Sequence, residues 1–355
     1  MADAPSSVPR SLLEADQATL RAFIVARGGK AFHAKVLRRA VLERGVLDYE
    51  HITDLPAGLR AILSEELPIF SGRLVDELTA TDGTHKLLIE FPGRTDRDKP
   101  VSVETVHIPP IRPDRDPNKG ATLCVSSQAG CPVACPFCAS GLLGLARNLQ
   151  AHEIVEQYVR GRALGPLSRS VVMGIGEPLL NYTQLSTALD TVRDEMGLGG
   201  RKLTVSTVGF PDRLRKLAPQ RPRFQLAISL HTPDQAQRDR LVPAMAGVPI
   251  EDILAAGDDW FEQTGREVTY EYVLLGGEND SEGHALRLLD RLRGRRCSVN
   301  LIPYNPTPEL PFYRPESGAP EYFRDTLVEG GLTATIRWSR GLEGSAACGQ
   351  LRLVR

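Results

Sequence analysis

The 355-residue sequence lacks a long hydrophobic run. No apolar stretch approaches the roughly 18 residues that a membrane-spanning helix needs. Residues 1–10 contain no apolar segment followed by a cleavage site, so they do not resemble an export signal. We therefore expect a cytoplasmic protein that does not associate with a membrane.

The sequence also lacks a strong charge of either sign. It contains 43 Lys and Arg residues against 44 Asp and Glu residues, for a formal net charge of −1. Many nucleic-acid-binding domains are strongly basic, and this chain as a whole is not. A local basic patch is sufficient for such binding, however, so the overall charge does not exclude a nucleic-acid partner.

Cysteine is scarce along most of the chain, and its distribution is uneven. The six cysteines are Cys124, Cys131, Cys135, Cys138, Cys297 and Cys348, and the first four lie in one short segment. In a cytoplasmic protein, such a group indicates metal binding or catalysis rather than a disulfide framework. Cys297 adjoins an apolar strand pattern and is predicted to be a small buried hydrophobic side chain.

The rest of the composition is that of an ordinary globular protein, with 41% hydrophobic and 25% charged residues. Residues 1–70 are predicted to form a small helical accessory domain, because their apolar residues recur at helical spacing. Residues 71–120 are expected to contain a β hairpin and a linker. Within that linker, residues 109–119 are rich in proline and charge, which predicts a loop.

Residues 121–355 alternate short apolar strands with longer helical patterns. Strands are predicted at 170–173, 203–206, 225–230, 268–274, 298–302 and 333–336, and helices at 152–164, 182–196 and 283–292. This alternation predicts an α/β fold in which a parallel sheet is closed or partly closed into a (β/α) barrel.

Cys131, Cys135 and Cys138 form a CxxxCxxC loop, and neighbouring proline and glycine residues prevent it from forming a helix. Soft thiolates select zinc, cuprous copper or an iron–sulfur cluster. A structural zinc site needs a fourth protein ligand, and none lies at the usual spacing. Three ligands on a [4Fe–4S] cluster leave one iron open to a cofactor or substrate, which favours the cluster. A zinc site and three unliganded buried cysteines are the alternatives.

A CxxxCxxC motif at the first loop of such a barrel resembles the radical S-adenosylmethionine (SAM) superfamily. Six further segments resemble the RlmN/Cfr family: TLCVSSQAGC at 122–131, MGIGEPLLN at 173–181, LTVSTVG at 203–209, LAISLHTP at 226–233, NLIPYNP at 300–306 and AACGQL at 346–351. The similarity extends from about Leu12 to Leu351. It implies a partial radical SAM barrel, and methylation of an adenosine carbon in 23S ribosomal RNA and also in transfer RNA. C2 is the favoured position and C8 the alternative.

The resemblance also implies a two-stage mechanism. The C2–H of adenine is not nucleophilic, so direct methyl transfer from SAM is not available. In the family, a protein cysteine is methylated first, and a second SAM is then cleaved to a 5′-deoxyadenosyl radical. That radical abstracts hydrogen from the cysteine-bound methyl group, and the carbon radical adds to the base. The implied cofactors are therefore a [4Fe–4S] cluster and two SAM molecules per turnover.

Three residues match the catalytic positions of the family. Cys348 matches the methyl-carrying cysteine. Cys124 matches the thiol that resolves the protein–RNA adduct and forms a transient disulfide with Cys348. Glu104 matches a glutamate proposed as proton acceptor. The alternatives are that both cysteines are inert buried thiols and that Glu104 is a solvated surface residue.

Residues at the ends of predicted strands match the SAM-binding positions of the family: Gly176, Glu177, Ser206, Ser229, Leu230, His231 and Asn305. The carboxyl ends of barrel strands commonly build active sites. The Glu177 carboxylate and nearby backbone carbonyls suit the ammonium group of methionine. The alternative is that these serines and asparagines simply end strands in turns.

Candidate RNA contacts include a basic group in the N-terminal helices: Lys30, His33, Lys35, Arg38, Arg39 and Arg44. This group could follow phosphates, although a charged helix face is often only solvated. Gln128, Arg147 and Asn148, near the cysteine loop, are further candidates. The expected partners also include an electron donor such as flavodoxin or ferredoxin, and we expect a monomer.

Three segments depart from the family pattern. The chain has Ala-Met-Ala-Gly after Val242-Pro243, Trp338 in a stretch that is commonly basic, and an unusual segment at 340–345. Loss of cationic side chains weakens sequence-independent RNA affinity. A divergent paralogue that acts on another RNA or another adenosine position is therefore an alternative, and a non-catalytic, zinc-stabilised RNA-binding module is a second one.

Overall fold

The structure, a computed structural model, describes residues 9–95, 98–110, 120–341 and 346–352. The strands within these residues are β1 (Arg73–Thr79), β2 (His85–Phe91), β3 (Val101–Ile108), β4 (Ala121–Cys124), β5 (Gln128–Gly130), β6 (Leu145–Asn148), β7 (Leu167–Val172), β8 (Leu203–Thr207), β9 (Gln225–Ser229), β10 (Val268–Leu274), β11 (Cys297–Pro303) and β12 (Thr333–Ile336).

The α-helices in the same residues are α1 (Gln17–Val25), α2 (His33–Arg38), α3 (Ala57–Glu66), α4 (Ala151–Ala163), α5 (Tyr182–Asp194), α6 (Pro211–Leu217), α7 (Gln235–Leu241), α8 (Ile250–Thr264), α9 (Glu282–Leu292) and α10 (Ala319–Glu329). None of the described helices is long and apolar enough to cross a membrane.

One large sheet organises the molecule. Its strand order is β1-β2-β3-β4-β7-β8-β9-β10-β11-β12, and β5 pairs with β6 in a separate two-stranded sheet. From β4 to β12, neighbouring strands of the large sheet run parallel. Helices connect successive parallel strands, as in (β/α) units. The α/β fold class predicted from the sequence, a partial (β/α) barrel, is confirmed.

The predicted barrel elements agree with the structure to within about three residues at each end. The strands predicted at 268–274 and 333–336 coincide with β10 and β12, and the helix predicted at 182–196 corresponds to α5. These segments were predictable because strands buried on both faces are continuously apolar, whereas the helices bury only one stripe. Cys297, at the start of β11, is buried in the core as predicted.

The N-terminal helices bury the apolar face that their spacing predicts. Asp16 caps α1 by accepting a hydrogen bond from the Thr19 N–H at 2.7 Å, and Leu20 and Ile24 are fully buried. The same hydrophobic core continues from these helices into the barrel. Arg38 donates two hydrogen bonds, both 2.7 Å long, to the Glu195 carboxylate at the end of α5.

Residues 71–108 form more than the predicted hairpin. Strands β1, β2 and β3 are antiparallel, and β3 also pairs with β4, so they extend the barrel sheet. The predicted loop at 109–119 lies outside the described residues from 111 onward. The division of the chain at residues 70 and 120 stays a prediction.

The two ends of the large sheet are joined by polar contacts. Arg340, which follows β12, forms an ion pair with Asp82 in the β1–β2 turn, with Nε and Oδ2 3.1 Å apart. Asp82 also accepts a hydrogen bond from the Gly341 N–H at 3.0 Å. These contacts curve the sheet so that β12 approaches the first hairpin.

Candidate active site

The three cysteines of the CxxxCxxC loop lie between β5 and β6 and line one cavity. The preceding Gly130 has φ +79°, and a Cβ atom there would meet the Gly144 carbonyl oxygen at 1.9 Å, so glycine is required. The three thiols are half-buried. Burial raises the pKa of Cys131 to about 12 and also raises the pKa values of Cys135 and Cys138. Such thiols become thiolates when a metal centre binds them.

The three cysteines can be compared with the needs of a structural zinc site, which takes four protein ligands. Among the described residues, no three Cys, His, Asp or Glu side chains converge on a point where a single metal ion could sit. A four-iron cluster binds each thiolate at a different iron, so its ligands are spread over the corners of a cube. Three thiolates on one loop are a ligand set that such a cluster takes.

Most of the residues predicted to bind SAM line the same cavity, which lies at the carboxyl ends of the parallel strands. These are Gly176, Glu177, Ser206, Ser229, His231 and Asn305. The exception is Leu230, which is fully buried in the core, so only its backbone is available to a ligand. The residues in this cavity therefore come from the ends of four strands, β7, β8, β9 and β11.

Gly176 and Glu177 form a tight turn against the cysteine loop. Gly176 has φ +111°, and a Cβ atom there would lie 2.6 Å from Gln128 Cβ. Glu177 is buried, and its two carboxylate oxygens accept hydrogen bonds from the Leu179 and Val208 N–H groups, each at 2.9 Å. Burial is the main cause of the raised pKa of Glu177. The Thr207 side chain also hydrogen-bonds to this carboxylate, and of its roughly four lone-pair sites one is left for a ligand donor.

His231 contributes a neutral ring to the cavity. Its Nδ1 accepts a hydrogen bond from the Val273 N–H at 3.1 Å, which places the ring proton on Nε2. Burial, assisted by the positive charge of Arg238, lowers the pKa of His231 to about 3. The backbone of His231 has φ +66°, a conformation that non-glycine residues rarely adopt.

Asn305 has an unsatisfied atom in the cavity. Its Nδ2 donates hydrogen bonds to Ser339 Oγ at 2.8 Å and to the Cys348 carbonyl oxygen at 3.0 Å. Its Oδ1 is buried and has no hydrogen-bond partner among the described residues. A buried acceptor without a partner costs stability, so its position indicates a ligand donor.

Cys348 lies where two cavities meet. It lines the first cavity with the three loop cysteines, and it lines a second cavity of about 790 Å³ with Cys124. Both thiols are free in the structure. The sequence-based pairing of Cys124 with Cys348 is thus compatible with the fold, and their disulfide stays a prediction.

The Cys348 segment is fixed against the cysteine loop. The Ala139 N–H donates a hydrogen bond to the Gly349 carbonyl oxygen at 2.8 Å, and Ser140 Oγ donates one to the Leu351 carbonyl oxygen at 2.6 Å. Together with the Asn305 contact, these bonds hold residues 348–351 beside the CxxxCxxC loop.

Glu104 is buried in β3 rather than solvated at the surface. Its carboxylate forms an ion pair with Lys86 (Oε1 to Nζ, 2.8 Å) and accepts a hydrogen bond from the Arg352 N–H at 2.8 Å. Glu104 is not one of the residues that line the two cavities. It lies two residues before Val106, which pairs with Cys124 in the sheet, so Glu104 points to the same face of the sheet as that pair.

Most of the residues predicted to contact RNA through their charge have partners within the protein. His33 is buried, Arg39 pairs with Glu43, and Arg44 pairs with Asp54. Lys30 and Lys35 are exposed.

The three candidates near the cysteine loop are also engaged. Arg147 makes two hydrogen bonds, each 2.7 Å long, to Glu153. Gln128 Nε2 donates to Asn148 Oδ1 at 2.7 Å. Both contacts join β6 to a neighbouring element, Arg147 to α4 and Asn148 to β5.

Three residues at the site were not identified from the sequence. Glu271 lines the first cavity, and Arg337 lines the second. Arg238 is fully buried and donates hydrogen bonds to the carbonyl oxygens of Val208 and Ser229 at 2.7 and 3.0 Å. These residues could have been noticed from the sequence as charged residues in or next to an apolar strand or a short helix. A charged residue is seldom buried unless it has a partner or a function.

Comparison with known proteins identifies the family. Residues 125–289 match the family model of the radical SAM superfamily, and residues 10–69 match that of the ribosomal RNA large subunit methyltransferase N-terminal domain. The chain is 42% identical over 344 residues to the probable dual-specificity RNA methyltransferase RlmN of Nostoc punctiforme, an alignment that covers 96% of this chain and 93% of the relative. The chain belongs to the RlmN family of radical SAM methyltransferases.

Two further relatives agree with membership of the RlmN family. The probable dual-specificity RNA methyltransferase RlmN of Rhodopirellula baltica is 41% identical over 361 residues, covering 99% of this chain and 94% of the relative. The crystal structure of a radical SAM methyltransferase from Sphaerobacter thermophilus superposes with a TM-score of 0.85 at 38% identity, covering 97% of this chain and 99% of that one.

Membership of the radical SAM superfamily implies a [4Fe–4S] cluster and SAM, and the described residues of the first cavity fit both groups. Three soft sulfur ligands lie on one loop, as such a cluster requires. The unsatisfied Asn305 Oδ1 faces the same space. At Gly176 the chain leaves no room for a side chain.

Proposed function

We propose that this enzyme methylates an adenosine carbon, C2, in 23S ribosomal RNA and also in transfer RNA. The observation that carries the proposal is the position of Cys348, which lines both the cavity of the three loop cysteines and the cavity that contains Cys124. A methyl group on Cys348 can therefore face the cofactors on one side and a substrate base on the other. The relatives named as dual-specificity RNA methyltransferases support RNA as the substrate.

In this proposal, Cys131, Cys135 and Cys138 hold the cluster, and the strand-end residues bind SAM, with two molecules used per turnover. When bound, these groups supply a methyl group and a radical that abstracts hydrogen. Asn305 Oδ1 and the Glu177 carboxylate accept hydrogen bonds from the bound cofactor, and His231 Nε2–H donates one.

Cys348 accepts the methyl group on its sulfur after losing its proton. Once the base is attached to the methyl carbon, Cys124 attacks the Cys348 sulfur as a thiolate. The sulfur–carbon bond breaks as the disulfide forms, and the electron pair leaves with the carbon, which takes up a proton. Glu104, whose carboxylate forms an ion pair with Lys86, accepts the proton that the base loses from C2, and the unpaired electron left on the adduct would pass to the cluster when that group is bound.

The second cavity suits a nucleotide in size and lining. Its volume of about 790 Å³ lies within the range of roughly 300–1,000 Å³ that is typical of small-molecule sites. Arg169 and Trp338 line it, and both are exposed. An aromatic face can stack on a base, and an exposed arginine can pair with a phosphate.

We further propose the division into an N-terminal RNA-binding accessory domain (1–70), a β hairpin and linker (71–120), and a radical SAM barrel (121–355). The match of residues 10–69 to a ribosomal RNA methyltransferase N-terminal domain supports the first part. We also propose a cytoplasmic monomer that receives electrons from a donor such as flavodoxin or ferredoxin.

Nucleoside mass spectrometry tests the substrate assignment. RNA from a strain that lacks the gene is compared with RNA from the same strain carrying the wild-type gene or the Cys348→Ala variant. Loss of 2-methyladenosine, restored only by the wild-type gene, supports the proposal. An unchanged adenosine-methylation profile contradicts it. Loss of 8-methyladenosine instead favours the alternative position.

Anaerobic purification tests the cofactor assignment separately. We expect a brown protein with about four iron atoms per chain. A colourless protein that contains zinc favours the non-catalytic binding module.

A further inference from the structure

Arg337 is a cation in the cavity of the two catalytic cysteines. It follows β12, and its N–H donates a hydrogen bond to the Leu301 carbonyl oxygen at 2.8 Å. Its half-buried side chain lines the second cavity together with Cys124 and Cys348, and its Nη1 lies 3.3 Å from Met173 Sδ. Among the described residues, no carboxylate lies within 4.0 Å of the guanidinium as an ion-pair partner.

The groups that interact electrostatically with Arg337 are Cys348, Glu271 and Cys124, in that order of strength. Glu271 is buried at the edge of the first cavity and accepts a hydrogen bond from Asn300 Nδ2 at 2.8 Å. Burial raises the pKa of Glu271, whereas Arg337 acts to lower it. These three groups are anionic only after they lose a proton, and two of them, Cys124 and Cys348, line the same cavity as Arg337.

Both thiols lie in surroundings that disfavour ionisation. Burial raises the pKa of Cys124 to about 12, and the neighbouring Cys348 adds to the increase. Burial also raises the pKa of Cys348, with Cys138 and Glu271 acting in the same direction. In both cases Arg337 acts in the opposite direction. The thiolate is the nucleophile, so a thiol at either position needs this compensation in order to react.

We propose that Arg337 is a positioning residue that stabilises the thiolate of Cys348 for methyl loading and then the thiolate of Cys124 for resolution of the adduct. One cation can serve both steps because the two sulfurs share one cavity and are needed in turn. Each thiol gives its proton to solvent through that cavity. The inference rests on the proposed roles of the two cysteines, but it does not depend on which RNA is modified.

The test measures how fast Cys348 is alkylated at different pH values in the cluster-loaded protein. Wild-type, Arg337→Lys and Arg337→Met proteins react with iodoacetamide, and mass spectrometry quantifies the modified Cys348 peptide. An opposite charge within about 4–6 Å shifts a pKa by about one to three units, so its removal is expected to show in the pH dependence of alkylation. We therefore expect Arg337→Met to react at least about tenfold more slowly near neutral pH, with its pH profile displaced upward. Arg293→Met, which removes an exposed cation that lines neither cavity, is the control and should retain the wild-type profile.

The lysine variant separates a charge effect from a structural one. Lysine retains the positive charge without the planar guanidinium, so we expect Arg337→Lys to recover most of the wild-type rate. Glu271→Gln removes an anion that competes with the thiolates for Arg337. The pH profile of Cys348 alkylation should therefore shift to lower pH in this variant. Superimposable profiles for Arg337→Met and the wild type, or equal losses in the Met and Lys variants, would overturn the proposal.

The outcome is independent of the test of the proposed function. If the wild-type gene restores no methylated adenosine, the substrate assignment fails while the alkylation profiles still report on Arg337. If methylation is restored but the profiles are unchanged in Arg337→Met, only the inference about Arg337 fails.

Discussion

At the scale of single residues, Cys348 owes its position to hydrogen bonds made by its neighbours. Asn305 donates a hydrogen bond to the Cys348 carbonyl oxygen at 3.0 Å, and Ala139 and Ser140 donate hydrogen bonds to the carbonyl oxygens of Gly349 and Leu351. The thiol itself makes none of these bonds. It is therefore available to both cavities while its backbone is fixed, which is the arrangement expected of a group that carries a methyl unit between two sites.

Substitution of the two cysteines should have different effects. We expect Cys348→Ala to abolish the protein-bound methyl group, because the accepting sulfur is missing. We expect Cys124→Ala to accumulate a covalent protein–RNA adduct, because loading proceeds while resolution does not. Intact-protein mass spectrometry and denaturing gels detect the two products.

Cys297→Ala is the control for these cysteine variants, because Cys297 is buried at the start of β11 and lines neither cavity among the described residues. Clean turnover by Cys124→Ala, or a methyl group detected on Cys348→Ala, would contradict the assigned roles.

Trp338 offers a second prediction at this scale. Its side chain is 51% exposed and lines the second cavity. Stacking of a base on an aromatic ring contributes about 1–3 kcal/mol, so Trp338→Ala should weaken RNA binding about tenfold. Fluorescence anisotropy with a labelled substrate RNA measures the change. Tyr322→Ala, on α10 and equally exposed, should bind like the wild type; equal weakening in both variants would show that Trp338 has no particular role.

At the scale of elements, the site is built from strand ends and from the hydrogen bonds between them. Glu177 bonds to the loop after β8, and Arg238 of α7 bonds to the ends of β8 and β9. The Ser206 and Ser229 hydroxyls, at the ends of the same two strands, lie 3.3 Å apart. These contacts tie neighbouring loops together, so one strand end cannot move without its neighbour.

The contact between Arg340, which follows β12, and Asp82 in the first hairpin predicts how stability depends on pH. Burial alone would raise the pKa of Asp82, but hydrogen bonds from Gly341 and Thr84 and the contact with Arg340 outweigh it and hold the pKa at about 2. A carboxyl group with a lowered pKa stabilises the fold above its unfolded value, near pH 4, and loses that contribution as the pH falls toward 2.

We therefore expect Asp82→Asn to lower the free energy of unfolding by about 1 kcal/mol at neutral pH, a modest value because the side chain is partly exposed. The difference from the wild type should shrink as the pH falls from about 4 to about 2. Urea titrations across this pH range provide the measurement. Asp290→Asn, at an exposed position of α9, is the control. A destabilisation that does not change with pH would argue against the ionised carboxylate as its source.

At the scale of the whole molecule, the N-terminal helices and the barrel share one hydrophobic core. Leu20 and Leu37 belong to the same buried cluster as Tyr158 in α4 and Leu185 in α5. The Arg38–Glu195 pair and hydrogen bonds from Arg162 to the Leu42 and Met196 carbonyl oxygens cross the same boundary. An accessory domain attached in this way has a fixed orientation relative to the active site.

The shared core predicts a single unfolding transition. Trp260 is fully buried, so its fluorescence reports on the barrel. Circular dichroism also reports on α1, α2 and α3. We expect the two signals to change at the same urea concentration, because the helices cannot leave without exposing the barrel core. A separate, earlier loss of helical signal would show that the N-terminal helices unfold on their own.

The sequence by itself determined the local features of this protein. Apolar runs and helical spacing located the strands β7 to β12 and the helices α4, α5 and α9, since these patterns reflect burial on one or two faces of an element. The CxxxCxxC loop and the family motifs located Cys131, Cys135, Cys138, Cys124 and Cys348, because ligands on one loop are close in sequence as well as in space. The addition of β3 to the barrel sheet was not predictable in this way, since strand pairing depends on partners distant in the chain.

Only the tertiary structure decided which residues meet. It placed Cys348 between two cavities, paired Glu104 with Lys86, and put Arg337 in one cavity with the thiols of Cys124 and Cys348. It also showed that three of the six basic N-terminal candidates, Arg38, Arg39 and Arg44, pair with carboxylates of the same chain. Charge and burial act through space at short range, and residues such as Cys124, Arg337 and Cys348 that share a cavity can lie far apart in sequence, so no local pattern records that they meet.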